Sequence, residues 1–248
     1  MTRDLLILRL DAPLMSFGGV AVDQRRTTAE FPRLSMLAGL LGNALGYDHR
    51  EARALDALQG RIRYAVRRDV VGERLTDFQT VALGDPHLVD TGWTTRGVGE
   101  RRGGASSETT HIRYREYWAD AVFTVAFTLE PRDEPPDLNA VEAALREPER
   151  PLFIGRKPCL PSCPLLVCRA MAPTLRAALE AHPRVRAARA GREPAGPLLA
   201  WIPPDEIESA IGREIPVVDE RDWENQIVVG RRIMSETLVN PPEADHDS

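Results

Sequence analysis

Arginine side chains in one glycine-rich stretch are the groups in this sequence best suited to chemistry, and that chemistry is phosphate binding. Residues 89–118 carry five glycines, and between positions 96 and 116 arginines outnumber acids. A guanidinium group grips phosphate oxygens through two parallel hydrogen bonds and requires no particular nucleotide sequence. The arginines are Arg96, Arg101, Arg102, Arg113 and Arg115. The stretch is either a flexible basic arm that holds a polyanion or a solvated surface loop.

Aromatic and histidine side chains near these arginines extend the chemistry to nucleic acid. Trp93 could wedge between bases, and Tyr114 and Tyr117 could stack on them, whereas alternation predicts that Trp118 is a core residue. His111 is the best candidate for acid–base catalysis of RNA cleavage, but a lone histidine in a basic loop is more often a phosphate contact. The other groups weighed for cleavage are Tyr47, His49 and Lys157. We predict no catalytic residues.

Signatures of other chemistries are absent from the sequence. It contains no GxSxG, HExxH, Walker or dinucleotide-binding motif. Cys159, Cys163 and Cys168 are separated by three and four residues, which fits neither a disulfide framework nor the paired CxxC of zinc sites. We therefore predict no metal and no cofactor.

Composition predicts a soluble cytoplasmic protein that does not associate with membranes. The chain has 248 residues, 43% hydrophobic and 28% charged, and no apolar run approaches the roughly 20 residues of a membrane span. Its net charge of −5 is the sum of two parts of opposite charge. Residues 1–118 hold 17 arginines and 15 acids, a net of +2, whereas residues 119–248 hold 15 basic and 22 acidic residues, a net of −7. A basic N-terminal part leaves RNA open as a ligand.

Hydrophobic periodicity predicts the elements that would position these groups. The predicted strands cover residues 5–10, 62–68, 77–83, 114–129 and 165–168. The first predicted helix begins at Ser35 as N-cap and stops at Gly46, and two more helices cover residues 51–58 and 138–145. Strand 62–68 has one arginine-rich face. The order is that of an α+β, ferredoxin-like (RRM-like) βαββαβ fold, whose antiparallel sheet has helices on one face and an open face for a ligand.

The chain divides into a domain of residues 1–170, with the arm inserted at about residues 78–117, and a small β-rich, acidic C-terminal region of residues 171–248. Strands are predicted there at residues 198–202 and 227–229. One further segment suits a phosphate backbone, and another carries two basic residues. The long loop after the first strand contains Gly18, Arg26 and Thr28, and the turn at residues 151–158 contains Arg156 and Lys157.

Four separated motifs resemble the Cas-five family of the RAMP superfamily, in particular its members in type I-E CRISPR Cascade complexes. They are LDAPLMSFGG, FPRLSMLAGLLGNALGY, SETTHIRYREYWADAVFTVAFTL and PLFIGRKPCLPSCPL, in the family's order and spacing over about residues 5–168. The resemblance implies a RAMP fold with a protruding β-hairpin thumb. It also implies a subunit that binds the CRISPR RNA (crRNA) 5′ handle, caps the Cascade backbone filament and contacts the large subunit, with target DNA as a further candidate partner.

The resemblance also implies a set of RNA-binding residues. They are Leu14, Ser16, Phe17, Gly18, Arg26, Thr28, Ser35, His111, Arg113, Arg115, Tyr117, Arg156 and Lys157, with Trp93, Arg96, Arg101 and Arg102 in the thumb. We expect residues 111–117 to be the ordered contact and residues 90–104 to be mobile until RNA or a neighbouring subunit fixes them.

Two other functions remain open. Subtype I-C relatives are metal-independent endoribonucleases that cut repeat RNA with a Tyr, Lys and His set. Tyr47 could replace that tyrosine, but no lysine precedes His111, which indicates that the activity is lost. The other alternative is a protein-only scaffold whose basic arm meets an acidic partner.

Overall fold

A seven-stranded antiparallel sheet forms the centre of the protein. The structure, a computed structural model, describes residues 2–19, 21–22, 24–48, 50–82, 92–93, 99–100, 110–185, 196–207 and 212–243. In spatial order the strands are β11 (Leu166–Ala172), β1 (Arg3–Asp11), β10 (Val122–Leu129), β5 (Ile62–Val70), β12 (Leu198–Ile202), β14 (Ile227–Val239) and β13 (Arg213–Asp222). Mixed α+β architecture with antiparallel strands is thus confirmed.

Four helices accompany this sheet in the described part of the chain. They are α1 (Leu34–Ala44), α2 (Ala52–Arg61), α3 (Leu138–Arg146) and α4 (Leu175–Ala181), and a short 3-10 helix spans Pro204–Glu206. The first three pack on one face of the sheet and α4 packs on the other, because hydrophobic side chains alternate along β1. Leu6, Leu8 and Leu10 face α1, whereas Leu5 and Ile7 face α4.

A smaller sheet carries a long hairpin. Its strands are β2 (Leu14–Met15), β3 (Ala21–Val22), β4 (Arg25–Arg26), β6 (Glu73–Ala82) and β9 (Thr110–Ala119), and a separate short pair consists of β7 (Gly92–Trp93) and β8 (Gly99–Glu100). Strands β6 and β9 pair antiparallel over their full length, and β4 runs parallel to β9. Trp118 on β9 is buried in the core, as alternation predicts. The hairpin stalk is therefore anchored on the main core.

The sheet face that was expected to be open is covered, which corrects the prediction of a cationic face on β5. The Arg67 side chain is fully buried and pairs with Asp69 at 2.7 Å. Its guanidinium also donates to the carbonyl oxygens of Leu179, His182 and Pro183, at the end of α4. Periodicity showed that Arg61, Arg63 and Arg67 share a face, but it did not show their partners. Arg61 donates to carbonyl oxygens of Pro131, Glu134 and Pro136, Arg63 pairs with Asp205, and Arg67 is buried at the end of α4.

The start of α1 also differs from its prediction. Ser35 is not the N-cap, because the cap position is Arg33 and no side chain of the local sequence caps the helix. The free N–H of Leu34 instead donates to Asp219 Oδ2 on β13, at 2.8 Å. A carboxylate at a helix N-terminus is favourable because it meets both the unpaired N–H groups and the positive end of the helix dipole.

The C-terminal part of the chain is more regular than predicted. Strand β12 has the predicted bounds, but β14 extends far beyond residue 229, and α4 was not predicted at all. Through pairing of β12 with β5, these strands continue the main sheet. The division into regions at residue 170 stays a prediction.

The buried Arg67–Asp69 pair predicts an unusually large effect for one substitution. Asp69 also accepts hydrogen bonds from the Thr124 hydroxyl and the Val185 N–H, so Asp69→Ala leaves a buried guanidinium without its countercharge. We expect a loss of about 3–5 kcal/mol in the free energy of unfolding, measured by urea denaturation. Asp205→Ala is the control, since Asp205 pairs with Arg63 at the surface and should cost about 1 kcal/mol or less. Equal losses in the two variants would contradict a structural role for the buried pair.

Candidate nucleic-acid interface

A groove of about 600 Å3 lies beside helix α1 and contains five of the predicted RNA-binding residues. It is bounded by the loop after β2, by α1, by the turn that precedes β11 and by the end of β13. The predicted residues in its wall are Ser16, Phe17, Gly18, Ser35 and Arg156. Residues far apart in the sequence thus meet along one concave surface.

Main-chain hydrogen bonds hold the loop after β2 against the groove. The Ser16 N–H donates to the Ile154 carbonyl at 3.2 Å, and the Phe17 N–H donates to Thr28 Oγ1 at 3.0 Å. Phe17 packs edge-on against Phe123, with ring centroids 5.0 Å apart. Because Ser16, Phe17 and Thr28 are all buried, their side chains position the loop, and the exposed main chain at Gly18 is the part that a ligand can reach.

Gly155 allows the turn before β11 to approach that loop. Its φ is +92°, and a Cβ atom at this position would lie 1.5 Å from the Ser16 carbonyl oxygen. Only glycine fits both the left-handed backbone and the close contact. The groove wall therefore depends on this residue.

Arginines of the hairpin continue the groove surface. We call the side of the smaller sheet that carries Arg26, Arg113, Arg115 and Tyr117 the arginine face. Alternation along β9 places Arg113, Arg115 and Tyr117 on one side, and the register of β4 pairs Arg26 with Arg115. The Nε of Arg115 is buried and has no hydrogen-bond partner among the described residues, while Arg26 is exposed. This face can offer guanidinium groups to a polyanion.

Arg156 connects the groove to the arginine face. Its Nη1 donates to the Glu116 carbonyl at 2.8 Å and its Nη2 donates to the Arg26 carbonyl at 3.0 Å. The guanidinium carbon also lies 4.8 Å from the centroid of the Tyr117 ring. Tyr117 is only 3% exposed, so its ring supports Arg156 and does not present a free surface for base stacking.

Sequence reasoning missed the groove residues that come from the C-terminal part of the chain. Trp223, in the turn between β13 and β14, lies against α1, where a Cβ on Gly39 would be 3.3 Å from the indole. Arg221 lies over the Trp223 ring at 5.2 Å, and burial lowers the pKa of the Arg221 guanidinium. Local sequence carried no signal for these contacts.

Other predicted residues lie beside the groove or outside the described structure. Leu14 is half-buried on β2 and pairs with Ala119 of the hairpin, and Lys157 is exposed next to Arg156. The side chains of His111 and Trp93 lie outside the described part of the structure, although their backbones are in β9 and β7. The thumb positions Arg96, Arg101 and Arg102 are also outside the described residues, as is most of the segment 90–104 that was expected to be mobile.

The described residues show neither a metal site nor a membrane span. They contain no group of three or more His, Cys, Asp or Glu side chains positioned to bind a metal ion. Among the described helices, none combines the length and the apolar character needed to cross a bilayer.

Known proteins that resemble this chain belong to CRISPR systems. A family profile described as CRISPR-associated protein (Cas_Cas5) matches residues 5–234. The CRISPR system Cascade subunit CasD of Escherichia coli (strain K12) is 35% identical over 176 residues, which cover 69% of this chain and 74% of the relative.

Solved structures show the same architecture. One is a chain of a CRISPR RNA-guided surveillance complex, with a TM-score of 0.65 and 28% identity over 95% of this chain and 91% of the other. Another is a crystal structure of a Cas protein, with a TM-score of 0.59 and 28% identity over 97% of this chain and 98% of the other. The similarity extends over nearly the whole chain and therefore includes the C-terminal strands.

The close packing at Gly155 predicts a position-specific effect of an added methyl group. Gly155→Ala should lower the free energy of unfolding by about 2–5 kcal/mol, since the left-handed backbone and the clash with Ser16 both contribute. Gly196→Ala is the matched control, because Gly196 has a φ of +82° but an added methyl group there would meet no atom within 4 Å. It should lose only about 1–2 kcal/mol. Equal losses in urea denaturation would show that the contact between the turn and the loop does not constrain the groove.

Proposed function

The chain belongs to the Cas-five family of CRISPR-associated proteins, and on that premise we propose that it is a non-catalytic crRNA-binding subunit of a type I-E Cascade complex. In this role it grips the 5′ handle of the crRNA, caps the backbone filament next to the large subunit and serves cytoplasmic antiviral defence. Support comes from the CasD relative, which is a Cascade subunit, and from the similar chain in an RNA-guided surveillance complex.

The observation that carries the RNA-binding proposal is the continuity of the groove with the arginine face through Arg156. Its guanidinium hydrogen-bonds to main-chain oxygens of β4 and β9 and also lines the groove. A strand of RNA can therefore follow one surface, with its phosphates against arginines and the exposed main chain at Gly18. Such contacts select a backbone path and not a base sequence, so neighbouring subunits would have to contribute to handle specificity.

We also infer that the fold is of the ferredoxin-like RAMP type with the β6–β9 hairpin as its thumb. The sheet order β11-β1-β10-β5, with α1 and α2 between the first two of these strands in the chain and α3 between the last two, supports that topology. The hairpin lies between β5 and β10, at the position of the predicted insertion. Partners in this proposal are the crRNA handle, the backbone subunit and the large subunit, with target DNA reached within the complex.

The absence of catalysis is part of the proposal. Of the groups weighed for cleavage, Tyr47 lines the groove and Lys157 is exposed on the turn that carries Arg156. Nothing in the sequence places a lysine before His111 as in the cleaving relatives.

Removing two arginines tests the RNA-binding surface. We expect Arg113→Ala together with Arg115→Ala to weaken binding of handle RNA to the reconstituted complex by about 10-fold or more, because two phosphate contacts are lost. The slope of log K against log salt should fall by about 1.4, at roughly 0.7 per contact with a single strand. Filter binding or fluorescence anisotropy over a salt series measures both quantities.

The control for this pair removes the same charge elsewhere. Arg132→Ala with Arg146→Ala changes two exposed arginines near α3, away from the groove, and should leave affinity and slope unchanged. Unchanged binding in the Arg113 and Arg115 variant would refute the assignment of the arginine face.

Incubation with repeat RNA tests the absence of cleavage. In EDTA we expect the purified protein to leave the repeat intact, since the proposal includes no general acid or base. Denaturing gels with a 5′-labelled repeat measure the outcome. Specific cleavage that disappears in His111→Ala would show that the protein is a metal-independent endoribonuclease.

A further inference from the structure

The side of the β6–β9 hairpin opposite the arginine face carries an aromatic pair. Register places Phe78 of β6 directly across from Tyr114 of β9, and alternation directs both away from Arg113 and Arg115. The two ring centroids are 5.4 Å apart at an interplanar angle of 61°. We call Phe78, Tyr114 and the adjacent Arg25 the hairpin platform.

Exposure distinguishes Phe78 from the other phenylalanines that make ring contacts in the described part of the chain. Phe78 is 55% exposed, whereas Phe17, Phe31 and Phe123 are each at most 1% exposed. Full burial of a phenylalanine is worth about 1.5–3 kcal/mol, so the position does not serve the stability of the isolated chain. A side chain of this kind on a projecting hairpin is available to a partner.

A cation and a rigid backbone complete the platform. The Arg25 guanidinium carbon lies 5.4 Å from the centroid of the Tyr114 ring. The Tyr114 N–H donates to the Gln24 carbonyl at 2.9 Å, and β4 pairs with β9 at this point. Main-chain hydrogen bonds therefore fix the strands that carry the aromatic pair before any ligand arrives, which reduces the entropy cost of binding.

Charges around the platform favour a ligand that is both flat and anionic. Towards the base of the same face, Arg74 is neutralised by ion pairs with Glu30 and Glu116. Arg25, by contrast, has no carboxylate within 4 Å among the described residues, and the strand neighbours of Phe78 on this face, Thr76 and Thr80, are exposed hydroxyl side chains. Ile112, which pairs with Thr80 on this face, adds one half-buried aliphatic side chain. Two exposed hydroxyl side chains and a cation beside this limited apolar surface suit a nucleotide, which has an apolar base and a polar backbone.

From this geometry we propose that the hairpin platform binds an unpaired base of single-stranded nucleic acid, which stacks on the exposed Phe78 ring beside Tyr114 while its phosphate meets Arg25. Stacking of a base on an aromatic side chain is tolerant of sequence and contributes substantially to single-strand binding. The proposal concerns a second surface and does not require the handle to lie on the arginine face. The strand could be RNA or DNA, since both offer the same stacking surface and phosphate.

Binding of oligonucleotides to the purified full-length chain tests the platform. The probes are an unstructured RNA and a single-stranded DNA of the same sequence, each with one 2-aminopurine, whose fluorescence is quenched when the base stacks. Phe78→Leu keeps the apolar character but removes the stacking face. It should weaken binding of at least one probe by about 5- to 100-fold and abolish the quenching, whereas Phe78→Tyr should retain both.

Leu238→Ala is the matched control, because Leu238 is 54% exposed on β14, outside the hairpin and the lining of the groove. This control should leave probe binding and the quenching of 2-aminopurine unchanged. Binding of a fully paired duplex should be the same for every variant. The probe that responds to Phe78→Leu identifies RNA or DNA as the natural strand. If Phe78→Leu binds both probes as the wild type does, or if Leu238→Ala has the same effect as Phe78→Leu, the platform is not a stacking site.

The two proposals fail independently. Loss of handle binding in the Arg113 and Arg115 variant, with no effect of Phe78→Leu on either probe, refutes only the platform. Loss of probe binding in Phe78→Leu, with handle binding intact in the double arginine variant, refutes only the arginine face. Thermal unfolding of Phe78→Leu should match the wild type within about 2 °C, since an exposed side chain contributes little to stability.

Discussion

The Arg156 guanidinium is the contact on which the proposed RNA surface depends. Its hydrogen bonds end on the main chain of β4 and β9, and its flat face covers the Tyr117 ring. These contacts fix the angle between the turn and the hairpin, two segments distant in sequence. Arg156 makes these contacts with two main-chain oxygens and one aromatic ring, and none of them is with a carboxylate. Its positive charge therefore remains available to a phosphate group. Groove and arginine face therefore form one cationic surface.

The C-terminal strands help to shape that surface, since they hold the helix that forms its wall. Asp219 of β13 accepts the Leu34 N–H at the start of α1, and Arg232 of β14 donates to the same carboxylate. Trp223 then lies along the helix at Gly39. Truncation at residue 170, the predicted end of the first domain, would remove Asp219 and Trp223. Helix α1 would then be uncapped, and one side of the groove would be open. The similarity to solved relatives over nearly the full length agrees with this dependence.

Hydrophobic periodicity predicted several helices and strands correctly, but it did not predict which segments pack against them. The strand β12 and the helices α1 and α3 follow from local hydrophobic spacing, and Trp118 was identified as core from alternation alone. Alternation also placed Arg67 on a common face with other arginines, but only the tertiary structure shows α4 covering that face. The contacts of Asp219 with Leu34 and of Trp223 with Gly39 escaped prediction because these partners lie more than 100 residues away. Helix α4 escaped it because seven residues are too few to show a clear helical period. Motif resemblance found the groove loop and Arg156, which no periodic pattern marks.

Ultraviolet crosslinking of the complex to its own RNA tests the central claim most directly. The protein would be coexpressed with a CRISPR array and its operon neighbours, irradiated after purification and digested for mass spectrometry of RNA-linked peptides. The account predicts crosslinks from the 5′ handle to peptides that contain Gly18, Arg113 to Tyr117, or Arg156. Retained RNA crosslinked instead to peptides of α3 or α4, with none from the groove or the arginine face, would contradict it.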